Sequence, residues 1–192
     1  SSDVCSSDLV GFLALFAAVA WSLAVVGWSQ LTRSYNLSVV PPEMGVSTIL
    51  YVEEHAWGVG PGANETGIIV YEMPETTRER ILNEGTDWLN GLSGSGKRWR
   101  GVYRNWQSTP FDPDVNGAFD IWAMSGRSGM CGHGGGIAGY MFKYGFCVPF
   151  DPHYESLANE ALSSSGGFYA FGRIGMLLLI PSKDLVIYAY NG

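Results

Sequence analysis

The longest apolar pattern in the chain is Val10 to Trp28 (VGFLALFAAVAWSLAVVGW), 19 residues without a charge. As a helix this run extends roughly 28 Å, enough to cross the hydrocarbon of a bilayer. Trp28 falls at one end, where an indole can stay half wet. Behind it the pattern becomes that of a folded domain. Val46 to Glu53 (VSTILYVE) and Gly67 to Met73 (GIIVYEM) are rich in β-branched and aromatic residues and predict strands, joined by the Gly-rich HAWGVGPGANET. Pro74 then opens a helix to about Leu92. Ile81, Leu82, Trp88, Leu89 and Leu92 fall on one face, and Glu75 and Glu79 sit near its positive N-terminal end.

Further on, Arg100 to Trp106 predicts a strand broken by Pro110, and Ile137 to Phe146 carries Ile137, Tyr140, Met141 and Tyr144 at helical spacing. Asp151-Pro152 begins a short helix through about Leu162. The end predicts a hairpin: Phe168 to Ile180, a turn at Pro181-Ser182-Lys183-Asp184, then Leu185 to Tyr190. Met176 to Ile180 is apolar without alternation, the pattern of a central strand or one buried on both faces. Strands at both ends with helices between them predict an α+β fold: a single transmembrane helix, then one antiparallel sheet with three or so helices on one side.

Ser29 to Gly45, polar and then carrying Pro41-Pro42, reads as a tether, which leaves Val46 to Gly192 as the domain. Its 147 residues are enough to bury roughly 70% of the unfolded surface. A cleaved signal peptide competes with an anchor, because Ala18-Val19-Ala20 has the small-x-small form of a cleavage site. The apolar run continues for eight residues beyond it, where signal peptides turn polar, and this favours an uncleaved anchor. Ser1 to Leu9 (SSDVCSSDL) resembles the conceptual translation of a sequencing-library adapter and is set aside from fold reasoning. Without it the acids fall from 18 to 16, the net charge moves from −7 to −5, and the cysteines fall from 3 to 2.

The acidic balance argues against a nucleic-acid partner, which would need a basic face. The 14% aromatic content argues against disorder. A short N-terminus followed by an acidic domain predicts a bacterial inner-membrane protein with its C-terminal domain in the periplasm, and the lipid bilayer as partner of Val10–Trp28.

Asp112-Pro113-Asp114-Val115-Asn116-Gly117, followed by Asp120, resembles the first half of an EF-hand calcium loop. Oxygen side chains at alternate positions converge there on one hard cation, and Gly allows the sharp turn. The resemblance implies Asp112, Asp114, Asn116 and Asp120 as calcium ligands. Ala123 stands where the bidentate Glu of that family would be, which predicts weak affinity. A Pro-containing surface turn is the competing reading.

Ser125 to Gly139 holds seven glycines, and His133-Gly134-Gly135-Gly136 resembles the oxyanion element of some esterases. The accompanying G-x-S-x-G elbow is absent, and a tightly turned loop ahead of the helix at Ile137 competes with the catalytic reading. Cys131 and Cys147 predict a disulfide outside the cytoplasm, favoured over a zinc site made with His133 and His153. Gly91 to Lys97 approaches a phosphate-binding loop, but it follows a helix and Arg98 replaces the Ser or Thr, so that reading is rejected. Arg98, Trp99, Arg100 and Trp106 interleave basic and aromatic residues and are candidate ligand contacts for a glycan or lipid headgroup. Strand alternation, with charge out and tryptophan in, explains the same pattern. His55 beside Glu53 and Glu54 reads as a solvated strand end.

No nucleophile, base and orienting group share a diagnostic spacing. The function expected is therefore an extracytoplasmic binding or scaffolding domain with an envelope protein or glycan as partner. A hydrolase using His133 with Asp120 or Glu155 is the alternative.

Overall fold

The computed structural model describes residues 3–57, 64–92, 102–112, 136–142 and 147–191. The chain forms two compact units, Ser1–Asn36 and Leu37–Gly192.

The described residues of the first unit lie within helix α1 (Asp3–Leu37). Within its stretch Gly11–Leu37 an 18-residue run reaches a mean hydropathy of 2.0 with none of its residues buried, which makes the stretch a candidate membrane span. The helix thus continues nine residues past Trp28, through sequence expected to be an irregular tether. The remainder of that expected tether is folded as well. Val39, Val40 and Met44 are buried in the second unit, the last on a single 3-10 turn at Pro42–Met44 closed by Gly45 in the left-handed conformation.

The second unit is an α+β domain on one antiparallel six-stranded sheet. In chain order it comprises β1 (Ile49–Trp57), β2 (Asn64–Glu72), α2 (Glu75–Gly91), β3 (Gln107–Ser108), α3 (Ile137–Met141), α4 (Pro152–Ser163), β4 (Phe168–Phe171), β5 (Gly175–Ile180) and β6 (Leu185–Asn191). The spatial order is β1-β2-β6-β5-β4-β3. The terminal hairpin β5–β6 turns at Pro181–Lys183 and slots between β2 and β4. Its position explains the unbroken apolar runs: all residues of both strands are buried, because both sheet faces are covered.

That covering departs from the expectation of helices on one side. One face (Ile68, Val70, Met176, Leu178, Ile187) packs under α3 and α4 with Phe111, Val148 and Phe150. The other (Ile69, Tyr71, Leu177, Leu179, Val186, Tyr188) packs under α2, Val39, Val40, Met44, Tyr103 and Trp106. A sheet whose central strands are apolar on both sides must be covered on both sides.

Smaller differences have local causes. Strand β3 lies at Gln107–Ser108 rather than Arg100 to Trp106, and residues 102–106 are irregular. The run Phe168 to Ile180 splits into β4 and β5, because Gly172 and Gly175 close a turn by a backbone bond of 2.7 Å. Helix α2 buries Ile81, Trp88 and Leu89 as its spacing predicts, but Leu82 is 65% exposed. Gly85 breaks the helix with φ +57 and ψ −135, so residues on either side of it do not share one continuous stripe.

Candidate functional site

At one end of the sheet, polar side chains from three strands line up. His55 on β1 stands opposite Thr66 on β2, and Thr66 opposite Asn191 on β6. Directly opposed antiparallel residues share a face about 5 Å apart, so the three form one row. Strand alternation adds Tyr51 and Glu53 to the same face. The Glu53 carboxylate lies 3.4 Å from His55 Nε2 and takes the Tyr51 hydroxyl at 3.5 Å. The Tyr51 hydroxyl also accepts from the Asp151 backbone N–H at 3.1 Å, and its ring packs 5.1 Å from Tyr154 of α4. Burial is the main reason the Tyr51 hydroxyl is held above its ordinary pKa; neighbouring carboxylates add to the shift and the Asp151 N–H opposes it.

The same end receives Gly136 of the Gly-rich stretch. Gly136 has φ +76 and ψ −144, and a Cβ there would overlap the Asn159 amide oxygen and sit 2.7 Å from its Cγ. That oxygen accepts the N–H of Ile137 at 2.9 Å and so caps the first turn of α3 from a neighbouring helix. Asn191 Nδ2 donates to the Tyr140 carbonyl, tying α3 to β6. Close backbone approach therefore explains the glycine at 136, as the loop reading of the sequence expected.

Chemically the row offers an imidazole beside a carboxylate, an amide and a hydroxyl. The Thr66 hydroxyl is fully buried and has no hydrogen-bond partner among the described residues. It lies beside His55 in register yet faces no solvent, so it is not presented as a nucleophile. Among the described residues no three His, Cys, Asp or Glu side chains gather around a metal-sized gap.

A different polar pair marks the opposite face of β1. Glu54 accepts from the Tyr190 hydroxyl across Gly67, which has no room for a side chain: a Cβ would meet the Glu53 carbonyl and the Tyr190 hydroxyl at 2.7 Å. Tyr190 stacks on Tyr188 at 5.0 Å and 15°, and its hydroxyl is pushed well above the ordinary range, first by burial and then by Glu54. A third feature is a cleft of about 510 Å³ lined by Glu43, Arg80, Glu84, Asp87, Trp88 and Leu92. Its aromatic floor is already engaged, since the Arg80 guanidinium lies 5.1 Å over Trp88 and bonds Glu84 at 3.0 Å.

Of the residues singled out in the sequence, few fall within the described part. Asp112 is exposed, whereas Asp114, Asn116 and Asp120 lie outside the described residues, as do Cys131, His133, Arg98, Trp99 and Arg100. Cys147 is exposed and engaged in an interaction of its own. Trp106 is 4% exposed, tilted against Tyr103 at 5.9 Å, with its backbone N–H donating to Asn90 Oδ1 at 2.9 Å. Its ring belongs to the core and is no open stacking platform, although residues 102–106 form no strand. His55 and Glu53 were read as a strand end but lie inside β1, which runs on to Trp57. The i, i+2, i+4 spacing of Tyr51, Glu53 and His55 was the available signal for a shared face.

No known family model, curated protein or solved structure matches the chain.

Proposed function

We propose that this is a single-pass membrane protein whose folded domain binds a partner in the cell envelope rather than catalysing a reaction. One observation carries the reading: an 18-residue apolar run within helix α1 with a mean hydropathy of 2.0 and none of its residues buried, in a chain whose sheet has both faces covered by other elements. Apolar surface of that extent is stable in lipid and costly in water. The buried residues of both core clusters lie within the second unit.

The finer features of the reading rest on the sequence. They are a bacterial inner membrane, a periplasmic domain, a disulfide between Cys131 and Cys147, and weak calcium binding around Asp112 to Asp120. Extracytoplasmic placement favours the disulfide and supplies the calcium. The burial of Trp106 weakens the glycan or headgroup surface, which loses one of its two rings.

The test is fractionation of the full chain expressed in a bacterium, followed by alkaline carbonate extraction. A spanning helix stays in the membrane pellet, and a chain starting at Leu37 does not. A reporter active only outside the cytoplasm, fused after Gly192, fixes the side. Release of the full chain by carbonate overturns the anchor, and an inactive reporter overturns the periplasmic placement.

A further inference from the structure

Among the described residues strand β1 is the long edge of the sheet and pairs with β2 alone, whereas the opposite edge, β3, is just two residues long. A nine-residue edge offers a row of unpaired backbone donors and acceptors. On the face that meets solvent it presents apolar residues on either side of Glu54. Leu50, in the bulge between Ile49 and Tyr51, is 46% exposed, and Val52 is 41% exposed, with Ala56 exposed on the same face as Val52. The opposite face of β1 meets α4, where the Tyr51 ring packs 5.1 Å from Tyr154.

Charge selects what can pair there. From Ile49 to Glu72 the hairpin carries Glu53, Glu54, Glu65 and Glu72 and no Lys or Arg. A second copy pairing antiparallel about the strand centre would set Glu53 directly opposite its own counterpart and Glu54 opposite Val52, and the facing like charges are destabilising. The acids that exclude self-pairing favour a strand of opposite charge. We infer that β1 is a strand-addition site for an extended basic segment of a partner protein, with apolar residues seated beside Val52 and Ala56 and Lys or Arg beside Glu53. Main-chain bonds supply the pairing, and the alternating side chains supply the selection.

The inference deepens the binding function proposed above and rests on it. Its probe is a blocked nine-residue peptide alternating Lys and Val, titrated into the full chain in neutral detergent micelles. Saturable binding is expected, weakening as salt rises. A fully N-methylated version keeps every charge but lacks donors, and is expected to bind at least about tenfold more weakly, as is an alternating Glu and Val peptide. Val52→Lys is expected to give the same loss with an unchanged melting temperature, and Ala56→Lys serves as a second variant if Val52→Lys does not fold.

Equal binding of the N-methylated peptide would overturn strand addition in favour of charge alone. No saturable binding of the Lys and Val peptide at millimolar concentration would overturn the site, while a carbonate-resistant pellet would still uphold the anchor. Sedimentation showing a dimer of the peptide-free protein that Val52→Lys dissociates would overturn it in favour of a second copy.

Discussion

Gly136→Ala tests how the Gly-rich stretch is joined to the sheet. At φ +76 and ψ −144 an alanine occupies backbone space that only glycine uses freely, which costs about 1–3 kcal/mol. The added Cβ would overlap Asn159 Oδ1, and that amide is the far end of a side chain, so it can swing away. Doing so abandons the 2.9 Å bond to the N–H of Ile137, a fully buried residue, at a further cost of about 1–3 kcal/mol. The expected total is ~3 kcal/mol, or roughly 6–12 °C in melting temperature for a domain of this size. The assay is chemical and thermal unfolding of the full chain in micelles, followed by tryptophan fluorescence. Asn159→Ala alone loses the hydrogen bond. In its background Gly136→Ala is expected to cost less by about 1 kcal/mol, because only backbone strain remains. Equal cost in both backgrounds, or a loss under about 0.5 kcal/mol in the first, would refute the contact.

Other outcomes follow from the same geometry. Ile81→Ala should destabilise the domain by about 2–5 kcal/mol, and Leu82→Ala by less than about 0.5, as measured by urea denaturation. Burial first, and then a charged or polar neighbour, raises Tyr71 and Tyr190 above their ordinary value of 10.0. Their neutral forms therefore contribute stability that is intact below about pH 10 and lost as pH climbs past it, because the unfolded chain releases those protons first. A phenolate titration by ultraviolet absorbance should show both tyrosines ionising only with unfolding, and Tyr190→Phe should reduce the alkaline loss. Saturating calcium, at about 100 times its dissociation constant, should raise stability by roughly 2.7 kcal/mol over chelator, and Asp114→Ala should abolish the difference. Identical melts with and without calcium would reduce Asp112 to Asp120 to a turn.

Periodicity and turn chemistry were enough to locate the apolar helix, the helix after Pro74, the helix at Pro152 capped by Asp151, and the closing hairpin at Pro181. Those signals are local. An apolar run, a fixed proline φ or a capping side chain acts within a few residues of itself. Tertiary structure decided what depends on distant partners. Residues 39–44 read as tether by polarity and prolines, yet Val39, Val40 and Met44 are drawn into the core because α2 and the sheet present an apolar face to them. Both faces of the sheet are covered because β5 and β6 sit at its centre, an order that no local pattern encodes. The row of His55, Thr66 and Asn191 exists only through strand register, and residues 125 positions apart in sequence carry no mark of becoming neighbours once removed. Gly136 was visible as one glycine among seven, but the reason for it is Asn159, an amide on another helix that leaves no space for a Cβ.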